Sequence, residues 1–283
     1  MPDTPKAKIA LFLTLTVLFS SRAYWRILTP GSNGGFGSVI LLMWSPGLAA
    51  LLTRLITQRN LRDGGWGLGR LRAWPAAYAL PLLYAGPVYL LAWLSGIGGF
   101  DTTGWGSHRN GTDPLLGIWL LLSWGLVLSL FSATGEELGW RGLLVPELAK
   151  TTGFRNTALV SSAIWAAWHM PLIVLAGYHG GGTPLAFSIA CFTIMVMGLG
   201  TFMAWLRLYS DSVWPCALLH ATHNLFIQGV FDAATVDRGP TAWFTGEFGV
   251  GLAVAGLLLG WWACRRARRD GWPIQVAKLG SSL

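Results

Sequence analysis

Residues 114–142 read PLLGIWLLLSWGLVLSLFSATGEELGWRG. No residue from Pro114 to Gly135 is charged, and a helix of about 20 apolar residues is long enough to cross the hydrocarbon core of a bilayer. Two adjacent carboxylates, Glu136 and Glu137, follow directly. Ionisable side chains are costly in such a segment and mark functional sites. The stretch therefore predicts a membrane-spanning helix that carries a functional polar group.

The composition of the whole chain supports a membrane protein. Of 283 residues, 53% are hydrophobic and 11% are charged, whereas soluble domains carry about 25% charged residues. The 17 Trp residues fit a membrane protein, because indole rings favour the headgroup level of the bilayer. At this length we expect one domain, 1–283, with its motifs in a core of about 115–231.

Apolar stretches with short polar breaks recur along the chain. They predict eight spans, at about 8–26, 36–56, 74–98, 115–134, 157–177, 184–206, 213–231 and 247–264. The fourth is expected to continue as a helix past Glu136. Because no barrel-type alternation is present, the fold class is all-α, a polytopic membrane helix bundle of about eight transmembrane helices.

The basic residues predict the orientation of this bundle. If the N-terminus is cytoplasmic, sixteen of the 20 Lys and Arg residues fall on inside segments, as the positive-inside rule requires. Both termini are then cytoplasmic, and the cell membrane is the expected location. The outside segments hold only Arg22, Arg26, Arg109 and Arg238, and the C-terminal segment with Lys278 lies inside. We read the first apolar run as a retained span, since no convincing signal-peptide cleavage site follows it.

The net charge of +8 does not indicate a nucleic-acid partner. The basic residues lie in short loops between apolar stretches, where membrane topology places them. The three cysteines, Cys191, Cys216 and Cys264, lie in apolar segments without a CxxC pair. We interpret them as small core residues rather than as metal ligands or disulfide partners.

Three polar groups interrupt the apolar segments. In the first, Glu137 and Arg141 are i, i+4 neighbours on a helix and can pair, whereas Glu136 points about 100° away and stays free. The second is His169, with Trp165 one turn before it. The third contains His220 and Asn224 on one helix face. Taken singly, each has an ordinary explanation: a charged helix end, a packing residue, or polar contacts between helices.

A single shared site satisfies all three groups at once, because buried polar side chains need partners. Glu136, His169, His220 and Asn224 are suited to hydrolysis, in which a carboxylate takes a proton from water and imidazole assists. His and Asn side chains also stabilise a developing oxyanion. Glu136, His169 and His220 could equally bind a divalent metal such as zinc, and a metal-free mechanism is equally open.

These motifs, in this order, resemble those of the CPBP family of intramembrane proteases, which includes the type II CAAX prenyl endopeptidases and the bacteriocin-processing or self-immunity proteins. The family pattern is EExxxR, FxxxH and HxxxN or HxxxD on an eight-helix core. Glu136, Glu137 and Arg141 match the first motif, and His220 and Asn224 match the third. His169 matches the second, in which Trp165 replaces Phe. We expect this change to affect only packing.

The resemblance implies a role for each residue. Glu136 would activate water with help from His169, and His220 with Asn224 would form the oxyanion site. Glu137 and Arg141 would support the first motif. The substrate would be a peptide or protein in or at the bilayer, cleaved near its cytoplasmic side. A prenylated CAAX substrate is implied at the family level only, and no residue of this chain identifies the peptide.

The sequence leaves two other functions open. One is a non-enzymatic immunity or scaffold protein that keeps the motifs. The other is a proton-coupled transporter, in which buried carboxylates and imidazoles relay protons. The transporter ranks last, because the sequence shows none of the internal repeat expected of such folds.

Overall fold

The computed structural model describes residues 3–29, 35–106, 113–179 and 181–272. Its long helices are numbered in chain order: α1 Pro5–Leu28, α2 Phe36–Gln58, α3 Ala73–Leu94, α4 Pro114–Ala149, α5 Phe154–Leu175, α6 Leu185–Ser210, α7 Trp214–Asn224 and α8 Val250–Arg269. Two strands, β1 Gly98–Phe100 and β2 Thr235–Asp237, pair antiparallel. They join the loops that follow α3 and α7 at one end of the bundle.

Six helices in the described part of the chain, α1 to α6, are long and apolar enough to cross a membrane. Their outer faces carry large exposed apolar side chains, such as Leu94, Trp119 and Trp124, as expected where lipid replaces water. The chain is therefore an integral membrane protein with a polytopic helical bundle. The count of eight spans and the cytoplasmic termini stay predictions, and two residues used for the orientation, Arg109 and Lys278, lie outside the described residues.

Helix α4 begins at an Asp113 cap, whose Oδ1 accepts a hydrogen bond from the Leu115 backbone amide at 2.8 Å. As predicted, it continues well past Glu136 to Ala149. A π-helical turn, Trp140–Leu144, begins three residues after Glu137. Helix α7 likewise continues into a π-helix, Leu225–Asp232, immediately after Asn224. Such turns occur frequently at functional sites, because they change which side chains face inward.

Helix α3 ends earlier than predicted. The sequence predicts a span over 74–98, but the helix stops at Leu94. Gly96 then adopts a positive φ of 78°, which glycine tolerates at no steric cost. Gly98 already belongs to β1. Hydropathy alone does not reveal this end, because the residues beyond it are also apolar or small.

Helices α2 and α4 cross closely at small residues beside the carboxylates. A Cβ atom at Gly135 would lie 2.7 Å from Cγ of Trp44, and one at Gly139 would lie 2.4 Å from Cβ of Pro46. Small residues allow backbones in membrane bundles to approach in this way. The crossing fixes the part of α4 that holds Glu136 and Glu137 against its neighbour.

A buried arginine closes the end of the bundle where α2 ends and α7 begins. Arg54 donates hydrogen bonds to the backbone oxygens of Arg62, Asp63 and Gly142 at 2.7–3.0 Å. The same loop is tied to the start of α7, where Ser212 Oγ donates to the oxygen of Gly67 at 2.6 Å. The Gly-rich loop 57–73 is therefore packed against the bundle.

Candidate active site

The first motif of α4 is buried in the bundle. Glu137 is fully buried and Glu136 is 2% exposed. Oε1 of Glu137 accepts a hydrogen bond from Nη1 of Arg141 at 2.8 Å, as the i, i+4 spacing predicts. The same oxygen also accepts from Nδ1 of His220 at 2.9 Å. Glu137 therefore holds a residue of α7 as well as its own helical neighbour.

Glu136 points to a different set of partners. Its Oε2 accepts a hydrogen bond from Nε1 of Trp165 at 2.9 Å and a longer one from Nε1 of Trp140 at 3.4 Å. The expectation that Trp165 affects only packing is wrong, because its indole N–H binds the carboxylate and a Phe ring has no such donor. The Arg141 guanidinium also lies 4.3 Å from the centre of the Trp165 ring, within cation–π range.

His169 lies one turn beyond Trp165 on α5. Its Nδ1 is 2.9 Å from the backbone oxygen of Trp165. Since a carbonyl oxygen only accepts, Nδ1 carries the proton, and Nε2 of the neutral ring is an acceptor. The His169 ring also packs edge-on against Phe192 of α6, with ring centres 5.2 Å apart. These contacts fix both the orientation and the tautomer of the imidazole.

A small cavity of about 70 Å³ joins the three motifs. It is lined by all four predicted residues, Glu136, His169, His220 and Asn224. The structure thus brings together residues from α4, α5 and α7 that lie up to 88 positions apart along 136–224. Its volume is enough for water, since one water molecule needs roughly 10–15 Å³. The side-chain amide of Asn224 has no hydrogen bond to any residue that the structure describes.

The same cavity contains a second polar network that the sequence analysis missed. Glu247, in the turn before α8, accepts hydrogen bonds from His223 Nε2 at 3.0 Å and Gln228 Nε2 at 3.2 Å. Its other oxygen accepts from the Tyr178 hydroxyl at 3.2 Å. Tyr84 of α3 contacts the remaining nitrogen of His223. The sequence signal that could have revealed this network is a run of polar side chains along α7 and the π-helix after it, namely His220, His223, Asn224 and Gln228.

A larger polar pocket of about 480 Å³ adjoins this network, and we call it the vestibule. Tyr178, Gln228 and Glu247 line both the vestibule and the small cavity. The vestibule lies among the loops that follow α5 and α7 and precede α8. The three side chains therefore form a partition between the predicted site and that end of the bundle.

Metal binding was left open by the sequence. No three His, Cys, Asp or Glu side chains are grouped closely enough to hold an ion anywhere in 3–29, 35–106, 113–179 or 181–272. As they lie, Glu136, His169 and His220 do not form a ligand set, and a metalloprotease is not supported. Zinc binding stays a prediction from the sequence.

Comparisons with known proteins agree with the motif reading. Residues 118–226 match the family of Rce1-like type II CAAX prenyl endopeptidases. A 104-residue region is 27% identical to CAAX prenyl protease 2 of Methanococcus maripaludis, covering 35% of this chain and 38% of that protein. Both matches confirm the resemblance to the CPBP, or CAAX protease, family. The aligned region thus spans well under two thirds of the length of this curated relative.

Proposed function

We propose that this chain, a relative of the type II CAAX prenyl endopeptidases, is an intramembrane endopeptidase in which Glu136 activates the attacking water. The observation that carries the proposal is the single cavity shared by Glu136, His169, His220 and Asn224. A carboxylate, two imidazoles and an amide around a space of water size are the groups that peptide hydrolysis needs.

Glu136 acts as the general base. The indole N–H of Trp165 holds Oε2 of the carboxylate, so that Oε1 is left to accept a proton from water. Nε2 of His169 accepts the second hydrogen of that water, because Nδ1 is already bound to the Trp165 carbonyl. The oxygen of the water then attacks the scissile carbonyl carbon, and Glu136 passes the proton to the leaving amine.

His220 and Asn224 stabilise the oxyanion. The Asn224 amide is free of hydrogen bonds to described residues and lines the cavity, so it can donate to the new negative charge. His220 donates from Nε2 as an imidazolium, whose second N–H, at Nδ1, is held by Glu137 at 2.9 Å. Donors fixed before the reaction stabilise such charge without reorganisation.

Glu137 and Arg141 position the other residues without reaching the substrate. Glu137 orients the His220 ring, and Arg141 both neutralises Glu137 and packs on the Trp165 ring that binds Glu136. One buried ion pair therefore links the groups proposed for the water and the oxyanion. Loss of this pair should disturb both.

The substrate is a peptide or protein that reaches the site from the bilayer or its surface, and a prenylated CAAX peptide is the class suggested by the curated relative's name. We propose the cell membrane as the location, with cleavage near its cytoplasmic side. This side is supported by the distribution of basic residues and by the position of His220, in the second turn of α7. A cavity of 70 Å³ is too small for a peptide segment, so binding requires neighbouring groups to move.

The proposal is tested with purified protein in proteoliposomes and a synthetic peptide that ends in a farnesylated CAAX sequence. Mass spectrometry should detect the released tripeptide with the wild-type chain and none with Glu136→Gln. Glu147→Gln is the matched control, because Glu147 is also buried in α4 but pairs with Lys150 outside the cavity. Equal cleavage of the peptide without its farnesyl group would support an endopeptidase that does not require the prenyl group. Cleavage by Glu136→Gln at the wild-type rate would contradict the mechanism.

A further inference from the structure

A long apolar trough lies on the membrane-facing side of the bundle, between α3 and α8 and over α6. Its volume is about 850 Å³. The walls are almost entirely apolar or aromatic, and they include Leu80, Leu83, Phe202, Trp205, Leu258 and Trp262. Unlike the candidate active site, the trough offers hardly any hydrogen-bonding group to a peptide backbone. Its chemistry suits a hydrocarbon chain.

The trough is long enough to hold one acyl chain. Its lining residues along α3 run from Arg72, which caps the helix, to Val88, a distance of about 24 Å at 1.5 Å per residue. One leaflet of the hydrocarbon core is about 15 Å thick. At the far end α3 and α8 meet, because a Cβ atom on Gly251 would lie 2.3 Å from Cγ1 of Val88. The trough is thus closed near Val88.

The opposite end of the trough is cationic. Arg72, just before α3, and Arg266, in the last turn of α8, both line it, and no acidic residue does. Arg266 is held by Asp270 at 3.2 Å, and the other oxygen of Asp270 accepts a hydrogen bond from Trp205. A third guanidinium, that of Arg70, lies 4.6 Å from the centre of the Tyr209 ring at the same end. Basic pockets between helices at the cytoplasmic surface bind anionic headgroups.

We propose that the trough is a binding site for one anionic phospholipid. Its headgroup phosphate contacts Arg72 and Arg266, and one acyl chain runs along α3 and α8 toward Val88. A zwitterionic lipid lacks the net negative charge that this cationic end favours. A soluble ligand would leave the apolar walls facing water, at a cost in free energy that grows with the exposed area.

The occupied trough would touch a residue that is linked to the candidate active site. Tyr84 lines the trough, and its hydroxyl contacts Nδ1 of His223. His223 in turn lines the small cavity. The lipid chain therefore packs against Tyr84, and Tyr84 contacts a residue of the hydrolytic site. We expect bound lipid to hold Tyr84 and His223 in place.

Native mass spectrometry of the full chain tests the site, with dioleoylphosphatidylglycerol and dioleoylphosphatidylcholine as probes. The wild type should retain one phosphatidylglycerol, and at least tenfold more of it than of phosphatidylcholine. The Arg72→Gln/Arg266→Gln variant should lose that preference by roughly fivefold for each arginine. Arg59→Gln/Arg62→Gln is the matched control, because it removes the same charge from a loop outside the trough. Equal retention of both lipids, or full retention by the double variant, would overturn the proposal.

A steric pair of variants tests the acyl chain separately. Leu258 and Leu257 are neighbours on α8 and both are exposed, but only Leu258 lines the trough. Leu258→Trp should reduce phosphatidylglycerol retention severalfold, whereas Leu257→Trp should leave it unchanged. Retention by Leu258→Trp at the wild-type level would overturn the acyl-chain placement. Detection of a dimer without bound lipid would also overturn it, because a second copy of the chain would then cover this face.

Discussion

The indole Nε1 of Trp165 donates a hydrogen bond to Oε2 of Glu136 across 2.9 Å. This contact joins α5 to α4 and is absent from any relative that has Phe at this position. Because hydrogen bonds to charged groups contribute about 1.5–3 kcal/mol, Trp165→Phe should lower peptidase activity by roughly tenfold. Initial rates on a cleavable peptide measure the effect.

Trp168→Phe is the control for this prediction. Trp168 is on the same helix, and its indole donates to Ser20 rather than to Glu136. Its replacement should change the rate less than twofold. Equal losses in both variants would show that packing of α5, and not the bond to Glu136, limits the reaction.

Removing one member of the Glu137–Arg141 ion pair should destabilise the fold more than removing both. Glu137→Gln leaves a buried Arg141 without its partner and should lower the free energy of unfolding by about 3–5 kcal/mol. Thermal unfolding in detergent measures the change. Replacing both residues, as Glu137→Leu/Arg141→Met, should restore most of the stability.

The activity of the double variant shows whether the ion pair also positions His220, apart from its effect on stability. Because the double variant no longer orients His220, it should stay at least a hundredfold less active than the wild type although it is folded. A double variant with near-wild-type kcat would show that Glu137 has no role in positioning.

Asp232, which lines the vestibule, should make the stability of the protein depend on pH. It lies beyond the predicted span 213–231, and burial raises its pKa from 3.8 to about 6, although a hydrogen bond from Tyr89 opposes this. The folded state thus binds more protons than the unfolded state between these values. Stability should therefore fall as the pH rises from about 4 to 6.

Asp232→Asn tests this dependence. The amide keeps an oxygen that can accept from Tyr89, but it does not ionise. The variant should flatten the pH profile of the melting temperature between pH 4 and 6, and should be the more stable protein at pH 7. Asp237→Asn, at the rim of the same pocket, is the control. An unchanged slope in Asp232→Asn would rule out this group as the cause.

The local parts of the site follow from the sequence, whereas its tertiary contacts do not. Glu137 and Arg141 are four residues apart on one helix, so their pairing follows from helical geometry alone. The bond from Trp165 to Glu136 depends on how α5 packs on α4, and the aromatic character of Trp165 suggested packing only. Glu247 was missed because it lies at the edge of the last predicted span, 24 residues from the His223 that it binds.

In the fold, too, the local features follow from the sequence and the tertiary contacts do not. Hydropathy predicts the long helices to within a few residues at most ends, because burial in lipid requires continuous apolar runs. The early end of α3 depends on Gly96 and on pairing between β1 and β2, which a window average does not detect. The π-turn after Glu137 also leaves no mark in the apolar pattern.

The predicted orientation can be tested by cysteine labelling in intact cells. With the three native cysteines replaced by serine, Ala242→Cys in the vestibule should react with an impermeant maleimide added outside. Asn60→Cys, in the loop after α2, should react only after permeabilisation. Labelling of Asn60→Cys in intact cells would reverse the topology and move the proposed cleavage away from the cytoplasmic side.

We propose that Glu136 is the catalytic base with which this chain hydrolyses peptide bonds in the membrane. The most direct measurement compares the termini of membrane proteins in cells that carry the wild type, a deletion, Glu136→Gln or Glu147→Gln. We predict that a set of termini disappears in the deletion and in Glu136→Gln, and persists in Glu147→Gln. If Glu136→Gln keeps every terminus that the deletion loses, Glu136 is not the catalytic base. If the deletion loses none, the chain is a non-enzymatic membrane protein that retains the motifs.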